Sequence, residues 1–190
     1  MKNKPRFILI HCSDVSYKIQ PNQFLTINTY HRDVREFPIS SLGLYGGYHI
    51  LVSGGRKYRY RNDDEVGAHC NQTTPDGVSL NFQSLGICIA FDGDIEFPTP
   101  EDSTLIKAQI EEWVALYHIP LENIYNHRHF TPWKTCPGSL LTDTWGQQLM
   151  LPVIKQTHQV KNQAELKRIA GELTRLQRLL NQIKVLFHIT

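Results

Sequence analysis

The stretch His127 to Gly138, HRHFTPWKTCPG, places two histidines, a lysine and a cysteine within a dozen residues. Pro132 and the pair Pro137-Gly138 make it a turn-rich loop, unsuited to the interior of a strand or helix. Imidazole and thiolate are borderline-soft donors that suit Zn²⁺. A catalytic zinc takes three protein ligands and leaves the fourth position to water or substrate, whereas a structural zinc usually takes four, often in Cys-x-x-Cys pairs. This chain has no such pair, because its four cysteines, Cys12, Cys70, Cys88 and Cys136, are far apart in sequence. One loop supplies only part of a site, so a further ligand must come from elsewhere. His11 follows the apolar run Phe7-Ile-Leu-Ile, which reads as a buried strand presenting that histidine at its end. With the loop histidine and Cys136 it makes a His-His-Cys set of the catalytic type.

Other polar residues suit hydrolysis. Lys134 lies two positions before Cys136, where its ammonium can face an oxygen anion developing beside the metal. Tyr48 heads a second apolar run, and its phenol can hydrogen-bond the attacking water or that same oxygen. A metal-activated water, a Lewis acid and two donors for a tetrahedral oxyanion are the equipment of amide hydrolysis.

The elements that must position these groups are short. RFILIHCS (6–13), YHILVSGG (48–55) and SLGICIAFDGD (84–94) read as buried strands, and KYRYRNDD as an edge or hairpin strand after the Ser53-Gly-Gly turn. Asn22 to Glu36 reads as a helix. A stronger helix starts at Thr99, with a capping hydroxyl, Pro100 in the first turn and the acids Glu101 and Asp102 behind it. Pro120 is expected to stop it, a short strand to follow around Asn123 to Tyr125, and another helix to run from Ser139 to Leu149. The expected fold class is α/β, a mixed central β-sheet flanked by α-helices, filling a catalytic domain of residues 1–152.

Residues 153–190 follow another rule. Leu166, Ile169, Leu173, Leu176, Leu180, Ile183 and Phe187 recur at spacings of three and four, the pattern of a long amphipathic C-terminal helix. From Lys155 onward there are seven Lys or Arg and two Asp or Glu, so the tail is basic although the whole chain carries only +2. Packing on the domain or self-association as a homo-oligomer is one reading of this helix, and docking on an anionic envelope surface is the other. The overall charge gives no general signature for nucleic acid or membrane, so no nucleic-acid partner is expected. The N-terminus lacks the apolar core of a secretory signal and no stretch reaches membrane-span length, so synthesis in a reducing compartment and free thiols at Cys12, Cys70 and Cys88 are the expectations.

The segments ILIHCSD, GGYHILVSGG, GAHCNQTTPDGVSLNFQSLGICIAFDGD and HRHFTPWKTCPG resemble, in order and separation, the zinc N-acetylmuramoyl-L-alanine amidases, the family of the amidase-type phage lysozymes and peptidoglycan recognition proteins. The likeness spans about Arg6 to Leu149. It implies Zn²⁺ as cofactor held by His11, His127 and Cys136, catalysis by Tyr48 and Lys134, and hydrolysis of the amide joining N-acetylmuramic acid to L-alanine in peptidoglycan. Where relatives often carry an acid two places after the loop histidine, this chain has His129, which competes for the ligand role; motif position favours His127.

The same likeness puts His69 of GAHC at the groove rim, as a substrate contact or as plain structure. Trp133 is a platform for the substrate or a loop anchor. Cys12 is expected to face away from His11 as a buried thiol, and His49 to be a packing residue. Three settings fit the family: a phage or prophage endolysin acting on the cell wall, a cytosolic amidase that recycles wall fragments, and a non-catalytic module that binds muropeptides.

Overall fold

A computed structural model describes residues 2–151, 168 and 171–173. Five strands, β1 (Phe7–Cys12), β2 (Ile50–Val52), β3 (Lys57–Arg59), β4 (Ser84–Ile89) and β5 (Ile124–Asn126), form one sheet in the order β3-β2-β4-β1-β5. β1 runs parallel to both β4 and β5, and β2 parallel to β4, while β2 and β3 close an antiparallel hairpin. The sheet is therefore mixed, as the alternation of strand and helix segments leads one to expect. Among the described residues three α-helices flank it: α1 (Phe24–Asp33), α2 (Pro100–Tyr117) and α3 (Trp145–Met150).

Because side chains alternate across a strand, each buried strand feeds two cores. Ile8, Ile10, Ile50, Val52, Ile87 and Ile89 point to the side covered by Ile106, Ile110 and Trp113 of α2 and by Trp145 and Leu149 of α3. Leu51 and Cys88 point to the other side, where Phe24 and Ile27 of α1 pack. His11 follows the phase of Leu9, opposite Ile10. Side-chain phase alone thus sends His11 out of the main core.

Thr99 caps α2 by accepting a hydrogen bond from Asp102 N–H, an interaction whose loss typically costs about 1 kcal/mol. The helix ends before Pro120: Tyr117 is its last residue and His118 takes the left-handed conformation with φ 53°. The region after Gly138 departs further from expectation, since α3 begins only at Trp145. The reason lies in its carbonyls. Arg128 donates to the oxygens of Gly138 and Leu141, and Asn126 to that of Thr142, so these acceptors are spent on side chains instead of on a helical ladder.

The chain divides into two units, Met1–Met150 and Leu151–Thr190. In the second unit Arg168 and Gly171 to Leu173 are helical, Leu173 is exposed, and Arg168 pairs with Glu172 one turn on. The rest of the expected amphipathic helix lies outside the described residues. Among the described residues no helix is long and apolar enough to cross a membrane.

Candidate active site

His11 stands near the C-terminal end of β1, the edge of a parallel sheet where open α/β folds place their ligands. His127 opens a single 3₁₀ turn, His127–His129, directly after β5, the other neighbour of β1. Strand pairing therefore brings two residues far apart in the chain side by side, with ring centroids 4.4 Å from each other. Cys136 returns to them through the loop, its sulfur 3.9 Å from His11 Nδ1 and accepting the Cys12 backbone N–H at 3.4 Å. The donor atoms of His11, His127 and Cys136 all lie within 4.8 Å of one another.

The loop that carries Cys136 is held by a residue that nothing in the sequence singles out. Arg128 N–H donates to Cys136 O, and its guanidinium donates to Thr135, Gly138 and Leu141 oxygens while pairing with Asp143. From the other side Asp94 accepts from Thr135 Oγ1 and Ser139 N–H. The Cys136–Pro137 peptide is cis, and Gly138 follows it with φ 121°. A Cβ on Gly138 would lie 2.1 Å from Gly93 carbonyl carbon, so two backbones touch where the loop meets the segment after β4. Gly138→Ala is expected to destabilise the domain by at least ~1–3 kcal/mol, the usual cost of a strained backbone, and to lower metal occupancy; chemical denaturation with and without Zn²⁺ checks both.

The three donors are chemically suited to zinc. Cys136 is held well below the ordinary thiol range, first by its contact with Cys12 and then by His11 and His127, against the opposing effect of burial. A low-lying thiol supplies the thiolate that a soft cation binds. Burial and the neighbouring His127 lower His11 to about 4, keeping its ring neutral. Burial also acts to lower His127, but hydrogen bonds with Cys136 and Cys70 outweigh it and raise the ring to about 9, so an ion bound here would displace a proton from it. A tetrahedral centre with bonds of about 2.0–2.3 Å needs donor separations near 3.5 Å, which the set approaches with small side-chain rotations.

His129 lies elsewhere. It is exposed and stacks on Tyr125 at 4.3 Å, edge-on to Phe130, and it does not belong to the donor cluster. Cys12 is a buried thiol on the main-core side, as strand alternation requires, yet it is not remote from the site as expected. Cys136 sits over the end of β1, where one sulfur reaches both faces, and Cys12 also donates to Asp14 at 2.8 Å. Among the described residues all four cysteines are free thiols.

His11, Cys12, His127 and Cys136 line a cleft of about 680 Å³ that also includes Tyr48, His69, Trp133 and Lys134. Tyr48 precedes β2 by two residues, with its ring 5.1 Å from that of His11 and 5.4 Å from that of His31. Burial, reinforced by Cys88 and Cys136, raises its phenol well above the usual range, so at neutral pH it is a proton donor and not a base. Lys134 is exposed on the rim, its backbone N–H closing a turn onto Thr131 O. Trp133 is 70% exposed. His69 touches His11 directly, with its Nδ1 3.1 Å from His11 Nε2.

His31, on α1, also lines the cleft. Its Nδ1 accepts the Gly47 N–H at 3.0 Å, bracing the turn that delivers Tyr48. His49 is fully buried, with Nδ1 accepting from Gly86 N–H and Nε2 donating to Glu65 O. Burial first, then nearby arginines, lowers His31 to about 4, and burial likewise lowers His49 to about 4, both from 6.5. Each ring binds a proton more weakly in the folded than in the unfolded chain. Stability is therefore at its full value above pH 6.5 and is expected to fall as pH drops toward 4, by up to roughly 1.4 kcal/mol per pH unit for each ring. Urea denaturation across that range, with His49→Gln as reference, measures it.

The model of the N-acetylmuramoyl-L-alanine amidase family matches residues 1–139. No curated protein sequence matches the chain. Among solved structures, the endolysin N-acetylmuramoyl-L-alanine amidase LysCS from Clostridium intestinale URNW is 23% identical, over 72% of this chain and 77% of its own, with a TM-score of 0.53. LysC from the same organism is 21% identical over 82% and 87%, with a TM-score of 0.55. The Drosophila peptidoglycan recognition protein PGRP-LB, as a tyrosine-to-phenylalanine mutant in complex with tracheal cytotoxin, is 24% identical over 73% and 78%, with a TM-score of 0.56. At these identities the structures share the fold.

Proposed function

From the premise that this chain belongs to the N-acetylmuramoyl-L-alanine amidase family, we propose that it is a zinc-dependent peptidoglycan hydrolase that cleaves the amide between N-acetylmuramic acid and L-alanine. The observation that carries this reading is the convergence of His11, His127 and Cys136 donor atoms within 4.8 Å at the wall of an open cleft.

In this reading His11 Nδ1, a ring nitrogen of His127 and the Cys136 sulfur would hold Zn²⁺. The ion would supply Lewis acidity and activate water for attack on the amide. The protein's own part is positional and electrostatic. Tyr48, kept protonated by burial, donates a hydrogen bond toward the oxygen of the scissile carbonyl. Lys134 contributes positive charge from the rim to the same developing anion. Trp133, mostly exposed beside Lys134, offers a flat apolar face to the glycan or peptide.

A recognition module that binds muropeptides without cutting them would not need the cysteine donor, and Cys136 is present, so catalysis is the favoured reading. The test is incubation with purified cell wall and measurement of new L-alanine amino termini. Their appearance is expected, with loss on chelation and return with added Zn²⁺. Undiminished release by metal-free protein would overturn the zinc mechanism, and wall binding without new termini would establish the recognition module. Action as an endolysin is the setting we propose, by likeness to the Clostridium enzyme named as such. The basic tail we propose as a self-association or envelope-docking segment; removal of residues 153–190 is expected to spare activity on soluble muropeptides and change oligomeric state or activity on intact cells.

A further inference from the structure

We infer that His69 is a positioning residue for the metal centre, holding His11 by accepting its Nε2–H so that Nδ1 is turned toward the ion. The inference rests on the zinc reading above and deepens it. His11 shows Nδ1 to Cys136, at 3.9 Å from the sulfur, and Nε2 to His69 Nδ1, at 3.1 Å. A ligating imidazole offers one bare nitrogen and carries its proton on the other, which needs an acceptor. His69 Nδ1 is that acceptor. Its own proton then sits on Nε2, which faces Ser84 Oγ at 3.5 Å, while Ser84 O–H donates to Leu80 O at 2.5 Å. Every donor in the series His11, His69, Ser84, Leu80 meets an acceptor in one direction.

The slot around His69 is built for that ring. A Cβ on Gly67 would lie 2.5 Å from His69 Cδ2, and one on Gly86 2.8 Å from it, so only hydrogens at both positions leave room. Asn81 Oδ1 accepts the backbone N–H of both His69 and Cys70 at 2.9 Å, fixing the segment that carries the ring. Although His69 lines the cleft, its two ring nitrogens are directed into protein, and this favours support of His11 over substrate contact, one of the two roles the sequence left open.

The experiment titrates Zn²⁺ against a chromophoric chelator with the full chain and with His69→Phe and His69→Gln. Phenylalanine keeps an aromatic ring but has no acceptor; it is expected to weaken zinc about 10- to 100-fold. Glutamine, which can accept through Oε1, is expected to recover most of that loss. Amidase activity of His69→Phe should return in saturating Zn²⁺ with KM unchanged. Unaltered zinc affinity in His69→Phe, or a raised KM alone, would overturn the inference and make His69 a substrate contact. Failure of the wild-type chain to bind zinc would instead remove the metal reading itself. Should His69→Phe not fold, histidine ¹⁵N spectra of the zinc-loaded wild type decide: a protonated His11 Nε2 and a bare His69 Nδ1 are expected, and the reverse tautomers would overturn the inference.

Discussion

Cys136→Ser is expected to lower release of L-alanine termini from cell wall by about 10³-fold or more, the scale of losing a metal's several kcal/mol of transition-state stabilisation. The sulfur is the point where Cys12, His11 and His127 all converge, and those contacts hold its pKa well below the ordinary thiol range. A serine hydroxyl in the same place stays protonated near neutral pH and is a poor partner for zinc. The fold should survive, because Cys136 only abuts the main core, whose isoleucines and Trp113 are untouched. Activity, zinc content and thermal midpoint measured on one preparation separate these effects. A variant within about tenfold of wild-type activity would show that the sulfur is not a ligand in the working enzyme.

Tyr48→Phe is expected to reduce kcat by about 10²–10³, the usual consequence of removing one donor to a developing oxyanion, while zinc affinity stays as in the wild type. Phenylalanine keeps the ring that packs between His11 and His31, so the lesion is confined to the hydroxyl. The phenol is a credible donor because burial holds its proton well above the ordinary tyrosine range. Steady-state kinetics on a soluble muropeptide, with zinc stoichiometry alongside, provide the measurement. An unchanged kcat would reduce Tyr48 to packing.

Much of this was legible in the chain itself. The apolar runs of β1 and β4, the capped start of α2 at Thr99 and the donor types at His11, His127 and Cys136 are local features, and local features survive translation into structure. Even the outward direction of His11 follows from period-two alternation against Ile10. The four resembling segments added the family, which the match over residues 1–139 establishes.

Tertiary structure decided what depends on groups meeting across long separations. The loop 127–138 carries two histidines, and nothing in its spacing distinguishes them; the pairing of β5 with β1 puts His127 against His11, while the 3₁₀ turn sends His129 onto Tyr125. The loop's shape comes from Arg128 and Asp94, whose partners are spread over the chain and leave no periodic trace. His31, His49 and His69 look alike as sequence, yet one braces a glycine turn, one pins β4 and one meets a proposed ligand. Residue type sets which chemistry is available. Only the folded arrangement sets which proton each ring keeps, because that depends on the donor or acceptor facing each nitrogen.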